Sequence, residues 1–339
     1  MLKTVFSSPM PLGASLATII LLCSIAIGAA VGSSAPIAGK WLGQQVDYTL
    51  LLLVGSLFFS VRLDALLEVK KHWLFMLAAL VANFVIVPLI GYGVATFFLG
   101  SQPLVFVGLV IYFMSPCTDW FLGFTRLSEG NVALGSTLIP INMTLQLLLY
   151  PLYMILFAQH AVTLDSGVIG TTLFQWFLAP LVVALSAHKF LRARLGTIRL
   201  QKLLSHIDQG LPWIMGLLVM EIFAANIDVI LLHSGVFAKA LVAVFIFFVL
   251  TFLMGEGLSR LLHFRYPEHA LLSMTTAARN APLMLAVTMV ALPGQPLIYA
   301  SLIIGMLLEF PHLTALCRVL LGSQRRQTVA HLKSAAGDP

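Results

Sequence analysis

The chain has 339 residues, of which 60% are hydrophobic and only 9% are charged, and its mean hydropathy is +1.00. A soluble domain usually carries about 25% charged residues, so this composition excludes an ordinary soluble protein. The net charge of +6 does not indicate nucleic-acid binding, because the basic residues follow the topological pattern described below. The three cysteines, Cys23, Cys117 and Cys317, lie too far apart for a disulfide framework or a clustered metal site.

Apolar stretches of about 20 residues recur along the chain, and each is long enough to cross a bilayer as a helix. Helices are preferred there because they satisfy every backbone N–H and C=O group internally. We therefore predict an all-α polytopic membrane protein with ten transmembrane spans, numbered in chain order. The spans cover residues 13–33, 46–61, 73–98, 103–124, 132–158, 168–190, 211–227, 236–259, 268–291 and 296–320.

Lysine and arginine are distributed unevenly between the connections. With the N-terminus in the cytoplasm, 16 of the 19 basic residues lie on the cytoplasmic side, and only Lys40 and Lys239 lie outside. Cytoplasmic loops of membrane proteins carry this excess of positive charge. We therefore predict a multi-pass protein of the cell inner membrane with both termini cytoplasmic. The remaining basic residue, Arg279, falls inside span 9.

The spans divide into two halves of five. We predict a first repeat over residues 1–160, a second repeat over 161–322 and a cytoplasmic tail over 323–339. Because five is an odd number, the second half enters the membrane from the opposite side. The repeats are then inverted in topology, as in many secondary transporters.

Spans 4 and 9, which occupy matching positions in the two halves, are both interrupted by polar residues. Span 4 contains the sequence SPCTD at 115–119, and span 9 contains TTAARNAP at 275–282. A single break of this kind is explained equally well by a structural kink without a role in transport. Two charged breaks at matching positions favour a substrate or ion site, because half-helix ends expose free N–H and C=O groups within the membrane.

The residues of these breaks carry a family resemblance that continues along spans 5 and 10. The residues concerned are Pro116, Cys117, Thr118, Asn142, Gln146, Tyr150, Thr276, Ala277, Ala278, Asn280, Glu309 and Pro311. In this order and spacing the chain resembles the arsenite efflux permeases, which belong to the bile acid/sodium symporter superfamily. The resemblance implies a panel of spans 1, 2, 6 and 7 that faces a core of spans 3–5 and 8–10. It also implies that spans 4 and 9 are unwound and cross in that core.

Two features depart from the pattern that the resemblance implies. Asp119 stands where arsenite permeases have a small apolar residue, and Thr275 and Arg279 stand where sodium-coupled members have Glu and Gln ligands. These differences argue against the usual sodium sites. One hypothesis is that Arg279 takes the electrostatic role of bound sodium and that Asp119 balances it. A static salt bridge, or an Arg279 that binds an anionic substrate, remains an alternative.

Two residues are the main candidates for substrate and proton chemistry. Cys117 offers a thiolate, the ligand type that soft As(III) prefers, although a lone cysteine is also a common packing residue. Glu309 is an ionisable group in a membrane span, which makes it a candidate proton carrier. The alternative for Glu309 is a carboxylate that fixes helix packing.

Polar residues around the breaks are candidates for lining a substrate site. Asn142 and Gln146 are four residues apart and share one helix face, where they could orient substrate hydroxyls. Thr118 and Asn280 lie in the two breaks. Hydrogen bonding between helices explains such residues equally well.

These observations favour a secondary active transporter that exports arsenite in exchange for protons. Transport of a small organic anion with Arg279 as its anchor, or a non-transporting membrane receptor, are the alternatives. The sequence contains no nucleotide-binding loop, dinucleotide fingerprint or zinc-ligand spacing. We therefore predict no enzyme activity, no cofactor, no resident metal and no nucleic-acid partner, and we expect interactions only with substrate, protons and the lipid bilayer.

Overall fold

The computed structural model describes residues 12–59, 72–118, 120–158 and 179–336, and these residues form helices and no named strand. In chain order the α-helices are α1 (Leu12–Ser34), α2 (Pro36–Gly43), α3 (Val46–Phe59), α4 (Trp73–Val81), α5 (Val87–Leu99), α6 (Pro103–Phe113), α7 (Trp120–Leu127), α8 (Val132–Tyr153), α9 (Ala179–Leu232), α10 (Ser234–Leu261), α11 (Tyr266–Ala277), α12 (Ala281–Ala291) and α13 (Pro296–Ala336). A π-helical turn, Ala82–Ile86, joins α4 to α5, and a second one, Met154–Ala158, follows α8.

Several described helices are long and apolar enough to cross a membrane. Five such segments are Trp73–Leu99, Val132–Phe157, Ile198–Leu232, Ser234–Leu261 and Pro296–Arg326. Large apolar side chains remain on the outside of these helices, including Phe97 at 80% and Leu148 at 68% exposure. An aqueous surface would disfavour such side chains, whereas lipid accommodates them. The protein is therefore an all-helical, multi-pass membrane protein, and the count of ten spans and the inverted repeat stay predictions.

The helix bounds differ from the predicted spans in two places. Helix α9 continues through the whole stretch that separates predicted spans 6 and 7, with a break at Gly196, whose φ of 75° suits a residue without Cβ. Helix α13 continues through 322 into the predicted tail and ends at Ala336. The start of span 6 and the boundary between the two halves at 160 lie outside the described residues.

The described helices pack in two groups. In the first group, α9 packs against α1, α2 and α3. In the second group, α6 packs against α5 and α13, and α10 packs against α5, α11 and α13. Contacts of α13 with α1 and α9, and of α12 with α3, join the groups. This grouping is the one that the family resemblance implies for a panel and a core.

The first group packs through small residues. A Cβ atom added at Gly32 of α1 would lie 2.4 Å from the carbonyl oxygen of Ala224 on α9. Glycine thus allows the two helix backbones to approach closely, which is how helices commonly associate in lipid.

The second group contains a hydrogen bond that follows directly from a proline. Pro88 has no N–H, so the carbonyl oxygen of Phe84 lacks its partner in the helix. The hydroxyl of Tyr153 donates to that oxygen at 2.7 Å. A polar side chain of the neighbouring segment therefore satisfies the backbone where the π turn joins α4 to α5.

Candidate functional site

The two predicted breaks are present, and they meet. Residues 115–118 connect α6 towards α7, and residues 278–280 connect α11 to α12; we call these two segments together the crossover. The amide of Cys117 donates to the carbonyl of Ala278 at 3.0 Å, and the amide of Asn280 donates to the carbonyl of Ser115 at 2.8 Å. These bonds form a short antiparallel bridge centred on Pro116 and Arg279. Each broken helix therefore satisfies part of the backbone of the other.

Local sequence explains where the second broken helix restarts. Asn280 is the N-cap of α12, and its side-chain oxygen accepts the amide of Leu283 at 3.3 Å. Pro282 follows in the first turn, where its missing N–H costs no helical hydrogen bond. The same Asn280 side chain donates to the hydroxyl of Thr118 at 3.0 Å. The structure thus brings together two of the predicted lining residues, one from each break.

Arg279 is the most deeply buried charged group of the crossover, with 0% exposure. Its Nη1 donates to the carbonyl oxygen of Phe113 at 3.0 Å, and its Nη2 donates to the carbonyl oxygens of Thr275 and Thr276 at 3.1 and 2.7 Å. The Phe247 ring centroid lies 5.8 Å from the guanidinium carbon, within cation–π range. Phe113 ends α6, and the two threonines lie in the last turn of α11. The guanidinium therefore caps the C-termini of both broken helices.

Glu309 of α13 lies beside the crossover and is 1% exposed. Its Oε1 accepts the backbone amide of Arg279 at 2.9 Å, and its Oε2 accepts the hydroxyl of Tyr112 at 3.0 Å. The same hydroxyl lies 2.9 Å from the carbonyl oxygen of Gly305. Glycine is required at 305 because a Cβ atom there would lie 2.7 Å from the Tyr112 ring. The carboxyl group is thus held by a backbone donor of one helix break and a side-chain donor of the other broken helix.

Cys117 lies in this same buried cluster. It is 1% exposed, and its backbone amide donates to the carbonyl of Ala278, the residue before Arg279. Glu309 accepts the backbone amide of Arg279 itself. The predicted thiol and the predicted proton carrier are therefore both buried beside the segment 278–280.

Asn142 and Gln146 lie one turn apart on α8 and are buried at 0% and 2% exposure. The nitrogen and oxygen of each side-chain amide have no hydrogen-bond partner among the described residues. Gln146 lines a small cavity whose wall also includes Ser115 of the crossover and Tyr150. Buried amides without partners are rare, and Gln146 therefore presents an unsatisfied donor and acceptor beside this cavity, whose lining is otherwise mostly apolar.

The predicted pair of Asp119 and Arg279 is only half described, because Asp119 lies outside the described residues. By position in the chain, Asp119 directly precedes the first residue of α7, Trp120. The partners of Arg279 within the described part are backbone carbonyls, as given above.

Two residues of the site were missed by the sequence analysis. Tyr112 contacts Glu309, and Asn83 donates from the π turn to the hydroxyl of Thr275 at 3.1 Å, next to the carbonyls that bind Arg279. Each is a single polar side chain within an apolar span, and this is the signal that could have identified them. This signal is weak, because most polar side chains in such spans only form hydrogen bonds between packed helices.

Comparison with known proteins identifies the family of the chain. Residues 47–230, more than half of the chain, match the model of the Sodium Bile acid symporter family. The chain belongs to this family. It is also similar to the uncharacterized sodium-dependent transporter YocS of Bacillus subtilis (strain 168), with 23% identity over 275 residues that cover 76% of this chain and 78% of the relative.

Membership of the Sodium Bile acid symporter family makes the protein a membrane transporter of a small-molecule substrate. Within the part of the chain that the structure describes, no group of three or more potential ligands could hold a metal ion. The roles assigned to Cys117, Thr118, Asn142, Gln146, Asn280 and Glu309, the arsenite subfamily, the inner membrane and the orientation of the termini stay predictions.

Proposed function

We propose that the protein is a proton-coupled secondary transporter that exports arsenite. The observation that carries this proposal is the burial of two groups at the crossover. Cys117 lies in the segment whose backbone pairs with residues 278–280, and the Glu309 carboxyl group accepts the Arg279 amide and the Tyr112 hydroxyl. As(III) is soft and prefers thiolate ligands, and a carboxyl group can carry the coupled proton.

The hydrogen bonds of Glu309 are compatible with both of its protonation states. Burial disfavours the ionised carboxylate, whereas the two donors, the Arg279 amide and the Tyr112 hydroxyl, stabilise it. The Tyr112 hydroxyl has one proton and two acceptors at 2.9 and 3.0 Å, the Gly305 carbonyl and Glu309. When Glu309 is protonated, Tyr112 can donate to Gly305 and accept the carboxyl proton. The site therefore keeps its hydrogen bonds as a proton is taken up or released.

A single thiol suits reversible capture of the substrate. Arsenous acid and the Cys117 thiol would condense to one As–S bond, with the thiol proton and one arsenic hydroxyl leaving as water. One such bond is weaker than the several that a three-thiol site would form, so the substrate can be released by the reverse hydrolysis. The unpartnered amides of Asn142 and Gln146 offer donors and acceptors to the remaining hydroxyl groups.

The organic-anion alternative has less support from the geometry. An anion anchor needs several free donors, but both terminal nitrogens of Arg279 already donate to backbone carbonyls. Its Nε is the one guanidinium nitrogen without a partner among the described residues. Sodium coupling is the other alternative, because the Bacillus subtilis relative is named a sodium-dependent transporter.

Arsenite uptake into everted membrane vesicles, under an imposed proton gradient, tests the proposal. We expect gradient-dependent uptake in the wild type and uptake near background in Cys117→Ser. Cys23→Ser is the matched control, because Cys23 is exposed on α1 outside the crossover, and it should retain uptake. A sodium gradient imposed in parallel, without a proton gradient, should drive no uptake.

Absence of arsenite uptake by correctly inserted wild-type protein would reject arsenite as the substrate. Equal uptake by wild type and Cys117→Ser would reject the thiol as its ligand. Uptake driven by sodium alone would reject proton coupling.

A further inference from the structure

The guanidinium of Arg279 lies where two helix C-termini meet, a place that favours positive charge. The carbonyl groups in the last turn of a helix lack intrahelical partners, and each helix C-terminus is equivalent to roughly −0.5 elementary charge. The C-termini of α6 and α11 meet at Arg279, whose guanidinium donates to the carbonyl oxygens of Phe113, Thr275 and Thr276. Their combined charge of about −1 matches the single positive charge of the guanidinium.

The arginine is fixed in this position from several directions. Two of its terminal nitrogens donate to the three carbonyls, the Phe247 ring lies near its guanidinium carbon, and its backbone amide donates to Glu309. Glu309 accepts the backbone amide of Arg279, and the guanidinium donates its own hydrogen bonds to the helix ends. A proton can then bind to and leave Glu309 while the charge of the helix ends stays balanced.

We propose that Arg279 is a built-in cation that permanently fills the cation site of the crossover, so that the protein neither binds nor needs sodium there. This inference rests on the proposed transport function only in what it predicts about the coupling ion. The binding of the guanidinium in place of a free cation is a property of the folded protein and can be measured without substrate.

Removal of the Arg279 side chain should turn the crossover into a site for a free cation. It would leave the carbonyl oxygens of Phe113, Thr275 and Thr276 without donors, beside the Glu309 carboxyl group. Hard cations prefer such oxygen ligands. Arg279→Ala is therefore expected to unfold at lower temperature than the wild type and to regain stability when sodium or low-millimolar guanidinium is added.

Thermal unfolding of the purified protein in detergent tests this, with sodium chloride compared with choline chloride at equal ionic strength. The wild type should show the same unfolding temperature in both salts. Arg279→Ala should unfold several degrees higher in sodium or with guanidinium than in choline. Arg260→Ala is the matched control, because Arg260 is an exposed arginine paired with Glu256, and it should not respond to the choice of cation.

If Arg279→Ala does not fold, the unfolding temperature of the wild type in sodium and in choline still tests the proposal. A clear rise in the unfolding temperature of the wild type with sodium would overturn the proposal, because a filled site has no place for the ion. An Arg279→Ala protein that folds and responds to neither sodium nor guanidinium would also overturn it. Loss of arsenite transport alone would reject the proposed substrate and leave this result intact.

Discussion

The crossover and the α1–α9 interface show two different ways of joining helices within a membrane. The α1–α9 interface relies on glycines that bring backbones together, as at Gly32 and Ala224. The crossover relies on groups that complete unpaired backbone, with Arg279 bonded to three carbonyls and the two breaks bonded to each other. Steric fit dominates where helices are continuous, and charge and hydrogen bonding dominate where they are broken.

Two carboxyl groups are buried in the part of the chain that the structure describes, and they differ in their partners. Glu309 accepts two donors from the broken helices. Glu221 of α9 accepts the hydroxyl of Thr49 on α3 at 3.0 Å, while its second oxygen has no partner among the described residues. Of these two groups Glu309 contacts the crossover, so we predict that Glu309 is needed for proton coupling and Glu221 is not.

Replacing these two carboxyl groups in turn should have the largest effect. Glu309→Gln keeps the size of the side chain but removes the ionisable group, so we expect proton-driven uptake into vesicles to be abolished. Glu221→Gln, the matched control, should retain most of it. Equal loss in both variants would show that burial of a carboxyl group matters more than its place at the crossover.

Enlarging a glycine of the α1–α9 interface should have the next largest effect. In Gly32→Leu the added side chain meets the backbone of α9, which cannot move aside, so we expect destabilisation by about 3 kcal/mol. Gly55→Leu is the control, because a Cβ atom at Gly55 meets nothing within 4 Å. Thermal unfolding in detergent measures both, and similar unfolding temperatures for the two variants would contradict close packing of α1 on α9.

Substitution of Asp119 should have the smallest effect and would test its predicted pairing with Arg279. Because carbonyl groups of the helix ends already bond to Arg279, we do not expect stability to depend on an ion pair between Asp119 and Arg279. Asp119→Asn removes the charge and keeps the size of the side chain, so it should change the free energy of unfolding by less than about 0.5 kcal/mol, as thermal unfolding can measure. If Asp119→Asn destabilised the protein as strongly as Arg279→Ala, the ion pair would instead be supported.

The positions of the breaks and of several helices followed from local sequence. Pro116 and Pro282 lack the N–H that a continuous helix needs, and polar residues surround both, so spans 4 and 9 were expected to unwind where they do. The bounds of α9 and α13 were not predicted well. Both helices continue into polar stretches, and hydropathy detects where an apolar segment ends rather than where a helix ends.

The partners of the site residues were harder to predict. Pairing with Asp119 and binding of an anionic substrate were the expectations for Arg279, and the pairing stays a prediction because Asp119 lies outside the described residues. The carbonyls at helix ends were overlooked because they belong to the backbone and carry no sequence signal. Tyr112 was overlooked for a related reason, since its contact with Glu309 joins residues 197 positions apart.

The sequence by itself determined that the protein is a helical membrane protein, where its two helices break and which polar residues accompany the breaks. Hydropathy, proline and local polarity act over one or two helical turns, so they are readable along the chain. Only the tertiary structure decided that the two breaks pair, that the guanidinium caps both helix ends and that Glu309 receives the Arg279 amide. Those contacts join distant segments, and they are selected because no water is available inside the bilayer to satisfy the same groups.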